Sequence, residues 1–266
     1  MAARAEDTAM TLLLKVQGLN KRFGGLHAVK DASFTLDRGS ITGILGPNGA
    51  GKTTLFNLLT GFIPPDTGMV ELDGHALGGL RPYQIVNRGL ARTFQLARPF
   101  MGMTVLENVE VPCLAPRVRH AGQTRSRAQA WLDQVGLGRK AELLADTLPY
   151  GDLRRLEIAR ALATKPDLLL LDEPFAGLSA GEIWPLAGLI RSLHRSEGLT
   201  ILIIEHKLRE FMQLVERVIA MDFGEIIAVD APSAIVRHPR VVEAYMGKAE
   251  LTLHQNEPTG SGDGTA

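Results

Sequence analysis

Residues 41–62 read ITGILGPNGAGKTTLFNLLTGF, and their order decides the fold. An apolar run, Ile41 to Leu45, meets a glycine cluster that opens directly into a stretch of helical character. Gly46 to Thr53 fits G-x-x-x-x-G-K-[ST] in the strand–loop–helix context that a phosphate-binding loop requires. Glycines let successive backbone N–H groups face one concavity, and the helix N-terminus adds its positive end. On this reading Gly46, Pro47, Asn48, Gly49, Ala50 and Gly51 form the cradle. Lys52 brings a point charge to the β- and γ-phosphates, and the Thr53 hydroxyl serves Mg2+. A glycine-rich turn without chemistry is the competing reading, and the strand–loop–helix context argues against it.

Outward from the loop, LLLKVQGL (12–19) and SFTLDRGSITGIL (33–45) read as strands, with Asp37-Arg38-Gly39 a turn within the second. MVELD (69–73) and LARTF (90–94) read as further strands, separated by a short helix from Arg81 to Arg88 with Pro82 in its first turn and Gly89 past its end. From about Ala97 to Thr147 strand signals nearly vanish, and SRAQAWLDQVGL (126–137) and RKAELLAD (139–146) read as helices. The alternation then resumes. LRRLEIARALA (153–163) is a helix, LLLL (168–171) a buried strand, and PLAGLIRSL (185–193) a helix. ILII (201–204) is another buried strand, followed by Leu208, Phe211, Met212 and Val215 at helical spacing, and VIAM and EIIAV close the sheet. Continuous apolar strands bounded by helices imply a mostly parallel sheet covered on both faces, interrupted by a helical insert.

The bulk properties bound the remaining choices. A chain of 266 residues, 45% hydrophobic, buries one large α/β core rather than two independent ones. Lys plus Arg and Asp plus Glu balance at 29 each, so no net field draws the chain to nucleic acid or anionic lipid. One cysteine excludes an intrachain disulfide framework. The longest apolar runs are far too short to cross a bilayer, and MAARAEDTAM lacks the pattern of a signal peptide, so a soluble, cytoplasmic protein is expected. The small, polar flanks, residues 1–11 and 249–266, are expected to be poorly ordered.

Beyond the loop, LLLLDE places Asp172 and Glu173 at the end of a buried strand. After a phosphate loop, such a pair suits a Mg2+ contact by Asp172 and a water-polarising base at Glu173. His206 follows ILIIE at the tip of another strand and is either structural or a γ-phosphate sensor. Gln95, where the core gives way to the insert, could bring a metal-ligand oxygen into the site. Phe23, beside two glycines, either stacks on an adenine ring or packs on the core.

In order along the chain, Phe23, GPNGAGKTT, Gln95, LPYGD, LLLLDEP and His206 resemble the ATP-binding subunit of ABC transporters over roughly residues 12–248. KRFGGLHAV, GLARTFQ, the YGD turn before RRLEIARAL, and HPRVVEAYMG resemble the subunits that drive branched-chain or hydrophobic amino-acid importers. The resemblance implies a P-loop NTPase core with a mostly parallel sheet, an antiparallel β subdomain, and an inserted α-helical subdomain near residues 97–160. It also implies ATP and Mg2+ as ligands, Lys52, Glu173 and His206 as catalytic groups, and Thr53, Gln95 and Asp172 at the metal. Thr54 would add an α-phosphate contact. The implied assembly is a head-to-tail pair of ATPase subunits on the cytoplasmic face of the inner membrane. Two permease subunits sit above it, a periplasmic solute-binding protein feeds them, and the helical insert grips a permease loop.

Residues 148–155, LPYGDLRR, stand where the family's signature reads Leu-Ser-Gly-Gly-Gln, so Pro149, Tyr150 and Asp152 replace its Ser, Gly and Gln. The expectation is that Tyr150, Gly151 and Asp152 present backbone amides to the partner's nucleotide, with the Asp152 carboxylate capping its own helix. Arg154 and Arg155 are expected on a solvated or interface face. S-A-G-E at 179–182 reads as a capping box that leaves Pro185 inside the following helix, kinking it or delaying its start. A lipid exporter's ATPase, a soluble ABC ATPase acting on DNA or ribosomes, and a subunit without turnover are the rival readings.

Overall fold

The computed structural model describes residues 11–119 and 122–245. Expectations for residues 1–10 and 249–266 lie outside the described residues. The chain opens with β1 (Leu12–Phe23) and β2 (Leu26–Asp37), a hairpin turned by Gly24 and Gly25. β3 (Ile41–Leu45) and α1 (Lys52–Leu59) flank the phosphate loop. β4 (Thr67–Leu72), β5 (His75–Ala76), α2 (Pro82–Asn87) and β6 (Leu90–Arg92) follow. The insert contributes α3 (Val105–Glu110) and α4 (Thr124–Gln134), and α5 (Tyr150–Leu162) returns the chain to β7 (Leu168–Asp172). The rest is α6 (Ala180–Glu197), β8 (Thr200–Ile204), α7 (Leu208–Leu214), β9 (Arg217–Asp222), β10 (Glu225–Asp230) and α8 (Pro232–Ile235).

Two sheets result. An antiparallel one runs β2-β1-β4-β5, and a six-stranded one runs β10-β9-β3-β8-β7-β6, parallel except for the edge strand β10. Period-two alternation sends each central strand's residues to opposite faces. Leu168, Leu170, Leu202 and Ile204 pack with α1 against the antiparallel sheet. Leu169, Leu171, Ile201 and Ile203 pack on the opposite face with the insert helices, α5, α6 and α7. Both faces are therefore buried, which is why β3, β7 and β8 are buried at every position and mostly apolar, with Thr42, Thr200 and Asp172 the polar exceptions.

Two local expectations need correction. RKAELLAD is not a helix: Gly138–Lys140 and Ala145–Thr147 are 3-10 turns, and Leu144 is extended just before the second. The Leu143 carbonyl accepts from Val105 N–H at 2.9 Å and Leu144 bridges Thr104, so pairing with the start of α3 replaces intrahelical bonds. Pro185 does not delay its helix, which runs unbroken from Ala180 with Glu182 accepting from Ser179 N–H at 2.9 Å. Among the described residues no helix is long and apolar enough to cross a membrane.

Candidate nucleotide-binding site

The phosphate loop is wedged between β2 and the β9–β10 turn. Its glycines are sterically required at two points. A Cβ on Gly46 would lie 2.3 Å from the Met221 carbonyl, and one on Gly51, whose φ is 99°, would lie 2.3 Å from the Ala28 carbonyl. The Ala50 carbonyl accepts from Gly224 N–H at 3.0 Å, which pins the loop from the far side. Lys52 is buried at the first turn of α1, and its ammonium donates to the Gly46 and Pro47 carbonyls at 2.6 and 3.0 Å. A cavity of about 500 Å³ opens beside it, lined by the loop from Asn48 to Thr54, by Gly25 to Ala28, and by Glu173 and His206.

Glu173 stands at the mouth of that cavity with φ at 48°, a left-handed conformation that costs a non-glycine residue roughly 1 kcal/mol or more. Its carboxylate is held from both sides. Gln95 Nε2 donates to Oε2 at 3.0 Å, and His206 Nε2 lies 2.8 Å from Oε1. Three residues far apart in sequence thus meet on one carboxylate. Asp172 lies behind, buried, paired with Arg92 through Oδ2 at 2.6 Å. The Arg92 guanidinium lies between the Phe56 and Phe94 rings, 5.5 and 5.2 Å from their centroids.

The chain matches the ABC transporter family model over residues 29–176 and a branched-chain amino acid ATP-binding cassette transporter model over residues 225–250. It is 42% identical to the high-affinity branched-chain amino acid transport ATP-binding protein LivG of Salmonella typhimurium, over 89% of this chain and 98% of that protein. BraF of Pseudomonas aeruginosa, a protein of the same description, is 39% identical over the same shares. The ADP conformation of MJ1267, an ATP-binding cassette of an ABC transporter, superposes with a TM-score of 0.82 at 30% identity, covering 89% of this chain and 99% of that one. A dimeric post-hydrolysis state of the cassette MJ0796 bound to ADP and Pi gives 0.74 at 26% identity, covering 83% and 99%. The chain belongs to the ABC transporter family.

The family signature of this ATP-binding cassette corrects several expectations. Arg154 is not on a solvated face: it is 2% exposed. Its guanidinium donates to the Phe94 and Gln95 carbonyls at 2.9 and 2.5 Å and pairs with Glu157 at 3.3 Å. Arg155 is half-buried and donates to the Val135 carbonyl at 3.0 Å, closing the loop after α4. The Asp152 carboxylate caps nothing, because Lys140 from the insert takes it, while the Asp152 N–H turns onto the Pro149 carbonyl at 3.0 Å. Tyr150 packs its ring on Gly177, where a Cβ would come within 2.8 Å of it. Gly151 faces Glu182 of α6. Phe23 is 45% exposed, which excludes packing on the core, and Lys21 Nζ lies 5.6 Å from its ring centroid. It stands beside the cavity rather than in its lining.

Sequence reading missed Glu205. It is buried at the end of β8, and its carboxylate accepts from the N–H groups of Phe175, His206 and Lys207 at 2.6, 2.8 and 3.2 Å. It therefore ties the loop after Glu173 to the loop carrying His206. Burial pushes its pKa up against the lowering effect of those three amides. The available signal was an acidic residue ending an otherwise apolar strand. A second, larger cleft of about 740 Å³ lies between the sheet and the insert, lined by Phe62, Phe94, Leu96, Phe100 and Val111 on its apolar side. Thr53, Gln95 and Asp172 line it on the other.

Proposed function

We propose that this cassette binds and hydrolyses ATP to power an importer of branched-chain or other hydrophobic amino acids. The observation that carries the hydrolytic part is the Glu173 carboxylate, held by Gln95 and His206 beside the phosphate loop. Glu173 is the base that takes a proton from the attacking water. His206 fixes one carboxylate oxygen and stands ready to hydrogen-bond the γ-phosphate, and Lys52 exchanges its two loop carbonyls for phosphate oxygens when the nucleotide enters. Thr54, at the start of α1, contacts the α-phosphate, and the exposed Phe23 ring stacks on the adenine.

The Thr53 hydroxyl, the Gln95 amide oxygen and the Asp172 carboxylate are oxygen donors that face one cleft, a set that suits Mg2+. When bound there, the ion neutralises charge on the β- and γ-phosphates. The buried Arg92 guanidinium holds the Asp172 carboxylate in place through one oxygen, Oδ2. The importer reading rests on the family match at residues 225–250 and on relatives such as LivG and BraF that cover nearly the whole chain.

A second copy or a closely similar cassette would complete each site by presenting Tyr150, Gly151 and the turn around them to the nucleotide. The dimeric MJ0796 cassette supports that arrangement. The apolar cleft beside Gln95 is the surface for a permease loop, so the cassette works at the cytoplasmic face of the membrane through its permeases and only indirectly with a solute-binding protein. Glu173→Gln should lower kcat by roughly 100-fold or more while ATP still binds, and dimer should accumulate with ATP in size-exclusion chromatography. Unchanged turnover in that variant would mean the base lies elsewhere.

A further inference from the structure

Arg154 is the largest fully buried side chain in the described part of the molecule, and the ATPase chemistry outlined above does not use it. A buried guanidinium is costly unless most of its donors are satisfied, and both terminal nitrogens of Arg154 are, while its Nε has no hydrogen-bond partner. Here the acceptors are not scattered. Two are the successive carbonyls of Phe94 and Gln95, one is the Ala176 carbonyl at 3.4 Å, and one is the Glu157 carboxylate a turn further along α5. Glu157 in turn accepts from the Phe94 N–H at 2.6 Å, so both polar groups of the Phe94 backbone are held by one ion pair. The pair's own burial pushes the Glu157 carboxyl upward, with Arg154, Arg160 and the Phe94 amide opposing that shift. The guanidinium also lies 5.1 Å from the centroid of the Tyr150 ring.

Arg154 therefore touches three things at once: the signature turn, the backbone of Gln95, and the loop that follows Glu173. The first belongs to the site completed on a partner cassette, and the other two belong to this cassette's own site. We propose that the Arg154–Glu157 pair is a positioning clasp that couples the two half-sites of one chain, a role that rests on the ATPase reading. When α5 shifts as Tyr150 and Gly151 meet the partner's nucleotide, the clasp carries the Gln95 backbone with it. The Gln95 amide then tightens or releases its bond to Glu173, 3.0 Å long here. Occupancy of one site is thereby reported to the base of the other.

Arg154→Lys keeps the charge but cannot span the two carbonyls and the carboxylate together. It should leave ATP-analogue affinity and KM unchanged and lower kcat by about tenfold, as misplacement of a catalytic neighbour does. In a Gln95→Ala background the same change should cost less than about twofold, because the clasp acts through Gln95. A wild-type kcat in Arg154→Lys, or an undiminished effect in the Gln95→Ala background, overturns the proposal. Should Arg154→Lys lower the melting temperature markedly, the Arg154→Met/Glu157→Gln double variant, which leaves no unpaired buried charge, enters the same measurements. Amide hydrogen exchange at residues 92–97 separates the two ways of failing. Faster exchange at Phe94 in the variant supports the clasp whether or not ATP turns over, and unchanged exchange overturns it. Absence of turnover in the unmodified protein overturns the ATPase reading instead.

Discussion

Lys52, Glu173 and His206 reach one cavity from three separate segments and Gln95 holds the Glu173 carboxylate from the neighbouring cleft, whereas residues 148–155 send most of their side chains into their own subunit. In the first region the groups assigned to ATP are side chains that meet one another, as the two bonds to Glu173 show. In the second, Tyr150 lies on Gly177, Asp152 pairs with Lys140, and Arg154 is buried under the Gln95 segment. A half-site assembled within one chain can be built from side chains whose mutual distances folding fixes. A half-site offered to another chain has no partner atoms to fix it, so it is held rigid from behind and offers mainly its backbone.

Lys52→Ala tests the first region most severely. The ammonium is the only charge the loop offers to the phosphates, so its loss should cut ATP turnover by about 100-fold or more. Lys52 spans two loop carbonyls of its own, so a modest fall in melting temperature is also expected. Rapid hydrolysis by Lys52→Ala would break the comparison at its stronger end. It would show that the side chains converging on this cavity are not what makes it work.

Gly177→Ala probes the second region from behind. Gly177 has φ at 77°, and a methyl there would meet the Tyr150 ring at 2.8 Å. Backbone strain and the contact together should cost about 1–3 kcal/mol of stability, and the Tyr150 ring must shift. If the turn works through rigid backing, ATP-dependent dimerisation should weaken by about tenfold at temperatures where the variant is fully folded, while ATP-analogue binding to the monomer is unchanged. Weakening of both in equal measure would mean that Gly177 serves folding alone.

The same contrast explains what the sequence reveals. Glu173 and His206 follow apolar strands directly, and strand ends in a doubly covered parallel sheet are where such groups gather, so their meeting could be anticipated. Gln95 stands out in the sequence only as the junction of core and insert, and its bond to Glu173 comes from tertiary structure. Arg154 and Glu157 are spaced like a solvated i,i+3 pair, and only the path of residues 94–95 across α5 makes them a buried one. Arg92 hides in LARTF in the same way, since its partner Asp172 is 80 residues away. RKAELLAD carries helical spacing, yet Leu143 and Leu144 are about half exposed and paired along the backbone, so local periodicity lost to a tertiary strand contact. The strands of the main sheet were legible because burial on both faces leaves no ambiguity of pattern.

Pro149→Ser is the mildest test and the one aimed most directly at the signature turn. Pro149 is the N-cap of α5, with φ −58° and ψ 154°, and it has no side-chain group to offer the first turn. Serine suits that conformation and could accept from an N-terminal amide, a gain of about 1 kcal/mol. Losing proline's restraint on the unfolded chain offsets this by about 0.4–1 kcal/mol, so the melting temperature should move by only a couple of degrees. The new hydroxyl would also stand next to the amides offered to the partner's nucleotide, where dimer ATPase activity should be preserved or raised up to about threefold. If the proline is a neutral loss compensated by backbone, the variant keeps or gains activity. A collapse of activity at unchanged stability would show instead that the rigid ring itself shapes the surface, which would make residues 148–155 a side-chain site after all and erase the difference between the two regions.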